Sequence, residues 1–266
     1  MNDIRPSEPL IQFRSVRKAF GDQTVLDGVD LTIEQGVVTT IIGRSGVGKS
    51  VLLKHVVGLL RPDGGEILYR GDNLLTLSRS VRRSLKSKIS YMFQNMALFD
   101  SMTVFENIAL PLEEKTRLSK GEIRKRVFER IVQLDLGDFP DKYPAQLSGG
   151  MRKRVALARA LITGPEIILF DEPTTGLDPI RKNAVFNMIA RYQREFGFTA
   201  VVVSHDIPDV FQISQKVAML EEGRIIFDGT REEVLSSRNP LVRQFIEGQE
   251  NPETTLVSNI PEEDAK

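Results

Sequence analysis

The stretch Gly43 to Ser50, "GRSGVGKS", constrains this 266-residue chain more than any other feature. It fits the pattern G-x-x-x-x-G-K-[ST], whose glycines let successive backbone N–H groups turn inward around phosphate oxygens. Lys49 supplies a compact positive charge, and the Ser50 hydroxyl can ligate Mg²⁺. "VVTTII" (Val37 to Ile42) precedes it, a compact apolar run rich in β-branched residues, as in a strand buried on both faces. After it a helix is predicted from Lys49 to about Leu60, stopped by "RPDGG". Strand, glycine-rich turn and helix in that order point to an α/β fold.

The rest of the chain divides by pattern. From Leu10 to Ile33, "IQFRSV" and "TVLDGVDLTI" alternate, broken by turn formers at Gly21-Asp22 and Asp27-Gly28, which reads as antiparallel β structure. Ser119 and Glu122 form an S-x-x-E capping box, and Ile123, Val127, Ile131 and Leu134 follow at helical spacing. Residues from about 91 to 160 therefore read as an inserted, mostly helical subdomain. Strands return at "EIILF" (Glu166 to Phe170), at "TAVVV" (Thr199 to Val203) and in a hairpin, "KVAMLEEGRIIFDG". One domain is expected over 1–248, its core at about 10–90 and 161–248, with a polar, acidic tail over 249–266.

Composition removes several functions. The 36 basic and 36 acidic residues balance, so no global attraction to nucleic acid is expected. With no cysteine, neither disulfides nor thiolate metal sites can form. The N-terminus lacks the order of a secretory signal, and the most apolar stretch, "VLLKHVVGLL", is short and interrupted by Lys54 and His55. The expectation is a cytoplasmic protein, with any membrane crossing left to another subunit. The basic run "RSVRRSLKSK" (Arg79 to Lys88) reads as a solvated face, with anionic headgroups or nucleic acid as the alternatives.

Two more segments carry chemistry. "EIILFDEPTTGLDP" ends an apolar strand in two carboxylates, at the sheet edge where α/β folds bind ligands. Asp171 there can hold Mg²⁺, and Glu172 can orient and deprotonate an attacking water. "AVVVSHD" ends another strand in His205, placed to contact a γ-phosphate and that water, whereas His55 sits among apolar residues and reads as structural. Gln94, in "YMFQNMALFD", can reach Mg²⁺ or water through its carbonyl oxygen. Phe20, in "RKAFGDQ", can stack on a base.

Phe20, Gly43–Ser50, Gln94, "LSGGM" (Leu147 to Met151), Asp171-Glu172, Asp178 and His205 occur in one order over nearly the whole chain. In that order the chain resembles the ATP-binding subunit of ABC transporters, and "LSGGM" looks like the family signature. The resemblance implies a P-loop NTPase core of ABC type, with an antiparallel β subdomain and an inserted helical subdomain. It implies ATP held by Phe20 and by Gly43, Arg44, Ser45, Gly46, Val47, Gly48, Lys49, Ser50 and Val51. It places Mg²⁺ on Ser50, Gln94 and Asp171, and catalysis on Glu172, His205 and Gln94.

It further implies a head-to-tail dimer, in which Ser148, Gly149 and Gly150 hold the γ-phosphate of the neighbouring chain's ATP and Asp178 crosses the interface. Backbone N–H groups at a positive helix end suit a polyanion. Gln94 would face an integral-membrane permease. Met151 stands where most relatives carry glutamine; a backbone cradle does not need that side chain.

"LSGGM", "ALFDSMTVFENIALPL" (Ala97 to Leu112) and "NPLVRQFIEG" (Asn239 to Gly248) together look like the ATPase of Mla-type systems. Those work with MCE-domain proteins to move phospholipid between bacterial membranes and so maintain outer-membrane lipid asymmetry. The implied location is the cytoplasmic side of the inner membrane, with no nucleic-acid partner. An importer ATPase for a small polar solute is the alternative. The soluble ABC proteins of repair or translation need a coiled-coil insertion or a second cassette, and neither is present.

Overall fold

The structure, a computed structural model, describes residues 8–93 and 96–250. Val38–Ile42 (β3) is buried at all five positions, as its β-branched run predicts, and it lies inside a six-stranded sheet. Its neighbours are Thr199–Val203 (β8) and Lys216–Glu221 (β9), both parallel to it. Beyond β8 come Ile167–Asp171 (β7) and Ile89–Met92 (β6), also parallel, and Arg224–Thr230 (β10) pairs antiparallel with β9 at the other edge. The predicted hairpin and the Thr199–Val203 strand are as expected. β7 starts one residue later than expected, at Ile167; Glu166 before it still bonds through its main chain to Lys88 and Thr199, and its carboxylate meets Tyr69, Arg70 and Lys88. Tyr91 and Met92, expected to open a helical stretch, complete the β6 ladder opposite Leu169 and Phe170.

Side chains alternate across this sheet with period two, and each set finds its own core. Ile41, Ile167, Leu169 and Val201 pack on Leu52, Leu53 and Val56 of helix α1 (Lys49–Val56) and on a second, antiparallel sheet. That sheet has the order Gln23–Glu34 (β2), Pro9–Phe20 (β1), Gly64–Tyr69 (β4), Asp72–Asn73 (β5). Gly21-Asp22 makes the turn, with Phe20 opposite Gln23. Asp27-Gly28 does not break the strand: β2 continues through it, and Gly28, at φ +77°, is skipped in the register between Val29 and Asp27, a β-bulge.

Ile42, Ile168, Phe170 and Val202 face the other way, toward the helices. Among the described residues, three α-helices lie between β6 and β7: Val104–Lys115 (α3), Lys120–Gln133 (α4) and Gly149–Leu161 (α5). Ile123, Val127, Ile131 and Leu134 are all buried there, as their spacing predicts. The box at Ser119 is only half made. Its hydroxyl accepts from the Glu122 N–H at 3.3 Å, but the Glu122 carboxylate pairs with Arg126. Complete boxes stand at Thr103/Glu106 and Thr230/Glu233.

α1 ends earlier than predicted. Gly58 takes φ +68°, Gly58 N–H donates to His55 O and Leu59 N–H to Lys54 O, a Schellman stop four residues short of Leu60. The remaining helices are Arg79–Ser87 (α2), Pro179–Phe196 (α6), Arg231–Leu235 (α7) and Pro240–Glu250 (α8). Among the described residues, no helix is long and apolar enough to cross a membrane.

Candidate active site

The carboxyl ends of β3, β7 and β8 are neighbours, and each delivers one part of the predicted site. Gly43 leaves β3 at φ +150°, where a Cβ would lie 2.3 Å from the Leu220 carbonyl oxygen. Gly48 caps α1 at φ +110°, where a Cβ would lie 2.8 Å from Val25 Cγ1. Glycine is thus demanded by close backbone approach at Gly43, by the crowding of Val25 at Gly48, and by torsion at both. Lys49 is 4% exposed; its ammonium donates to the Gly43 and Arg44 carbonyls at 2.7 and 2.9 Å. Burial lowers the Lys49 pKa, against the pull of Glu172, whose Oε1 lies 3.6 Å away.

From α1, the Ser50 hydroxyl donates to Asp171 Oδ1 at 2.6 Å. From β6, the Tyr91 hydroxyl donates to Asp171 Oδ2, also at 2.6 Å. Burial, reinforced by the carboxylate, pushes the Tyr91 pKa up, so this phenol stays a donor. Tyr91 escaped the sequence reading because a lone tyrosine in an apolar run has no local signature; only the β6–β7 register places it.

Glu172 follows at φ +50°, unusual for a non-glycine residue and costing on the order of 1–3 kcal/mol. Its N–H donates to Val203 O at 3.0 Å, tying the turn after β7 to β8. His205 Nδ1 meets Glu172 Oε2 at 2.6 Å, and the Thr175 hydroxyl donates to the same oxygen at 3.3 Å. Lys49, Ser50, Asp171, Glu172 and His205 therefore form one connected cluster.

Behind it lies a network the sequence reading missed. Buried Asp206 accepts from the Thr174 hydroxyl at 2.5 Å and pairs with the Lys182 ammonium. The Lys153 ammonium of α5 donates to the Pro173 carbonyl, and burial pushes the Lys153 pKa down to about 8. The one local cue was that Asp206 adjoins His205.

The other predicted residues stand apart from that cluster. Ser148 caps α5 by accepting from the Met151 N–H at 3.2 Å, and Ser148, Gly149 and Gly150 are exposed. Among the described residues, no hydrogen bond or ion pair joins these three to Lys49 or Glu172. The Met151 side chain packs on the helical core, which leaves the exposed lip to backbone and hydroxyl. Asp178 caps α6 through the Arg181 N–H at 3.0 Å. Phe20, 48% exposed at the end of β1, carries the Lys18 ammonium over its ring. Arg44, Ser45 and Gly46 face solvent, while Val47 and Val51 are half-buried. Gln94 lies outside the described residues. His55 is buried, with Nδ1 2.7 Å from Val51 O, as its structural reading requires.

The model of one protein family, described as ABC transporter, matches residues 26–175, which contain the glycine loop, Ser148–Gly150, Asp171 and Glu172. This chain belongs to the ABC transporter family. The ATP-binding protein MlaF of the intermembrane phospholipid transport system in Escherichia coli K12 is 38% identical to it over 90% of this chain and 89% of MlaF. MlaF of Haemophilus influenzae is 35% identical over 91% and 92%. A probable ribonucleotide transport ATP-binding protein, Mkl of Mycobacterium tuberculosis, is 39% identical over 90% of this chain and 66% of Mkl.

Among solved structures, CbiO1 of Clostridium perfringens, part of an ABC transporter complex, has a TM-score of 0.79 at 29% identity, covering 95% of this chain and 100% of its own. The dimeric cassette MJ0796, in a post-hydrolysis state with ADP and phosphate, has a TM-score of 0.72 at 33% identity, covering 83% and 98%. This ABC cassette therefore has the P-loop NTPase fold of its family, with ATP as the nucleotide and ATP hydrolysis as its activity.

Proposed function

We propose that this ABC cassette is the ATP-driven motor of a transporter that moves phospholipid between bacterial membranes, and that it hydrolyses ATP as a head-to-tail pair of copies. The observation that carries the site assignment is the position of Glu172, whose two carboxylate oxygens face Lys49 and His205 beside the Ser50–Asp171 pair. The phospholipid cargo is taken from the two MlaF relatives and from the "LSGGM" and Asn239–Gly248 segments.

The loop suits a polyphosphate, since Gly43, Gly46 and Gly48 all take positive φ, which lets successive backbone N–H groups turn toward an anion. Lys49 sets a buried charge against the transferring phosphoryl oxygens. Ser50 and Asp171 form an all-oxygen donor pair suited to Mg²⁺, completed by Gln94; the ion, when bound, neutralises charge on the phosphates. Glu172 takes the proton of the attacking water, and His205, donating from Nδ1, holds that carboxylate in place. Phe20 stacks on the adenine. The exposed Ser148–Gly150 lip and Asp178 serve the partner copy's nucleotide.

The cassette binds an integral-membrane permease and works beside an MCE-domain protein on the cytoplasmic side of the inner membrane. Purifying the cassette from its native membrane and reconstituting what accompanies it tests this. ATP-dependent movement of labelled phospholipid is expected; transport of a polar solute with no lipid movement overturns the cargo assignment.

A further inference from the structure

The active site leaves one strongly charged feature unexplained. Helix α2 carries Arg79, Arg82, Arg83 and Lys86 at spacings of three, four and seven, so four cations share one face. The helix has no acidic residue and no buried residue, although the whole chain is charge-balanced. A cleft of about 1380 Å³ runs between this face and the end of α3, where Lys115 and Arg117 add two more cations against a single carboxylate, Glu114. Among the described residues, Arg79, Arg83, Lys86, Lys115 and Arg117 form no ion pair. Arg82 is spent on structure, donating to the Leu75 and Leu77 carbonyls at 3.2 Å and pinning the helix.

Five unpaired cations around one cleft repel each other, and among the described residues the cleft's lining offers only the Glu114 carboxylate against them. Beside the cleft, α2 borders a second, open pocket of about 290 Å³ whose lining is largely apolar and includes Leu74 and Leu85. That cavity shares Arg82 and Lys86 with the basic cleft. An apolar chamber beside a cationic cleft matches an amphiphile with an anionic head. A bare acidic peptide strand would leave the chamber unused.

We propose that α2 and its cleft form a docking surface for anionic phospholipid headgroups of the membrane on which this cassette works, with α2 lying at the interface. The inference rests on the membrane location given under the proposed function, and not on what cargo is moved. Juxtamembrane basic residues contribute roughly fivefold each to binding of anionic bilayers, and the effect fades with salt.

The test is flotation of the full chain with vesicles of phosphatidylcholine alone, or with a third phosphatidylglycerol. The comparison is the triple variant Arg79→Gln, Arg83→Gln, Lys86→Gln, with ATP hydrolysis in solution as the check that the variant is folded. Wild type should bind only the anionic vesicles, salt-sensitively, and the variant on the order of a hundredfold less, from three residues removed. Equal binding of variant and wild type, or equal binding to neutral vesicles, overturns the proposal. So does a wild type that ignores vesicles yet holds poly-glutamate through α2, which would give the cleft to an acidic protein partner. Unchanged hydrolysis alongside lost flotation separates this inference from the motor assignment, which stands or falls on turnover alone.

Discussion

His205 presents Nδ1 to Glu172 Oε2 at 2.6 Å, while the other oxygen of the same carboxylate faces the Lys49 ammonium at 3.6 Å. A general base needs one lone pair aimed at water and the rest of the carboxylate fixed, and this arrangement fixes it from two sides. Glu172→Gln should retain ATP binding, since Lys49, Ser50 and Asp171 are untouched, and lose about 10²- to 10⁴-fold in turnover. Phosphate release together with nucleotide binding reads both. Unimpaired turnover would remove Glu172 as the base. His205→Ala should slow turnover with little change in ATP affinity, because it frees the carboxylate without discharging it.

Two glycines of the phosphate loop should differ sharply. Alanine at Gly43 would push its Cβ into the Leu220 carbonyl oxygen at 2.3 Å, and β9 holds that backbone against β3. Gly46 has nothing within 4 Å of an added Cβ and only its φ of +81° to oppose the change. Gly43→Ala should cost about 3 kcal/mol or more and most of the ATP affinity, Gly46→Ala about 1–2 kcal/mol. Thermal unfolding with and without ATP measures both. Equal losses would mean that torsion alone sets the glycine requirement.

Lys153 makes a pH prediction. Burial lowers its pKa from the ordinary 10.5 to about 8 in the fold. Below pH 8 both states carry the proton, and the folded state bears the full cost of burying it. Between about pH 8 and 10.5 the unfolded chain binds a proton that the folded chain has released, so stability rises with pH. The gain is on the order of 3 kcal/mol by the conversion of pKa shift to free energy. Lys153→Met should lack this rise. Denaturant unfolding of both proteins across that range reads the difference, and parallel curves would place the Lys153 proton elsewhere.

The legible parts of this molecule were those whose cause is local. Val37–Ile42, the glycine loop and Lys49 announce strand, turn and helix because each step is set by neighbouring residues. The misses share the opposite property. Tyr91 reaches Asp171 across 80 positions, and Lys182 reaches Asp206 across 24, through sheet register and helix packing. Asp27-Gly28 looked like a turn because a bulge and a turn ask for the same residues; only pairing with β1 on both sides distinguishes them. At Ser119 the capping pattern was right, but Arg126, one turn on, took the Glu122 carboxylate. Ser148 is the reverse case: its sequence was readable, and the partner proposed for it is a nucleotide on another copy.

The proposed shared site gives a test that no single chain can satisfy. Lys49→Ala removes the phosphate-loop charge, and its homodimer should be inactive at both sites. Ser148→Arg places a long side chain on the exposed lip that should close on the neighbour's nucleotide, so its homodimer should be inactive as well. Mixed, they form pairs in which one seam holds both lesions and the other holds neither, having an intact loop from one copy and an intact lip from the other. Equal mixing puts half of all pairs in this form. Hydrolysis should therefore return on mixing two dead proteins, to roughly a quarter of wild type if the seams act independently and less if they must fire together. If each chain used its own Ser148, mixing would restore nothing, because every chain would still carry one lesion.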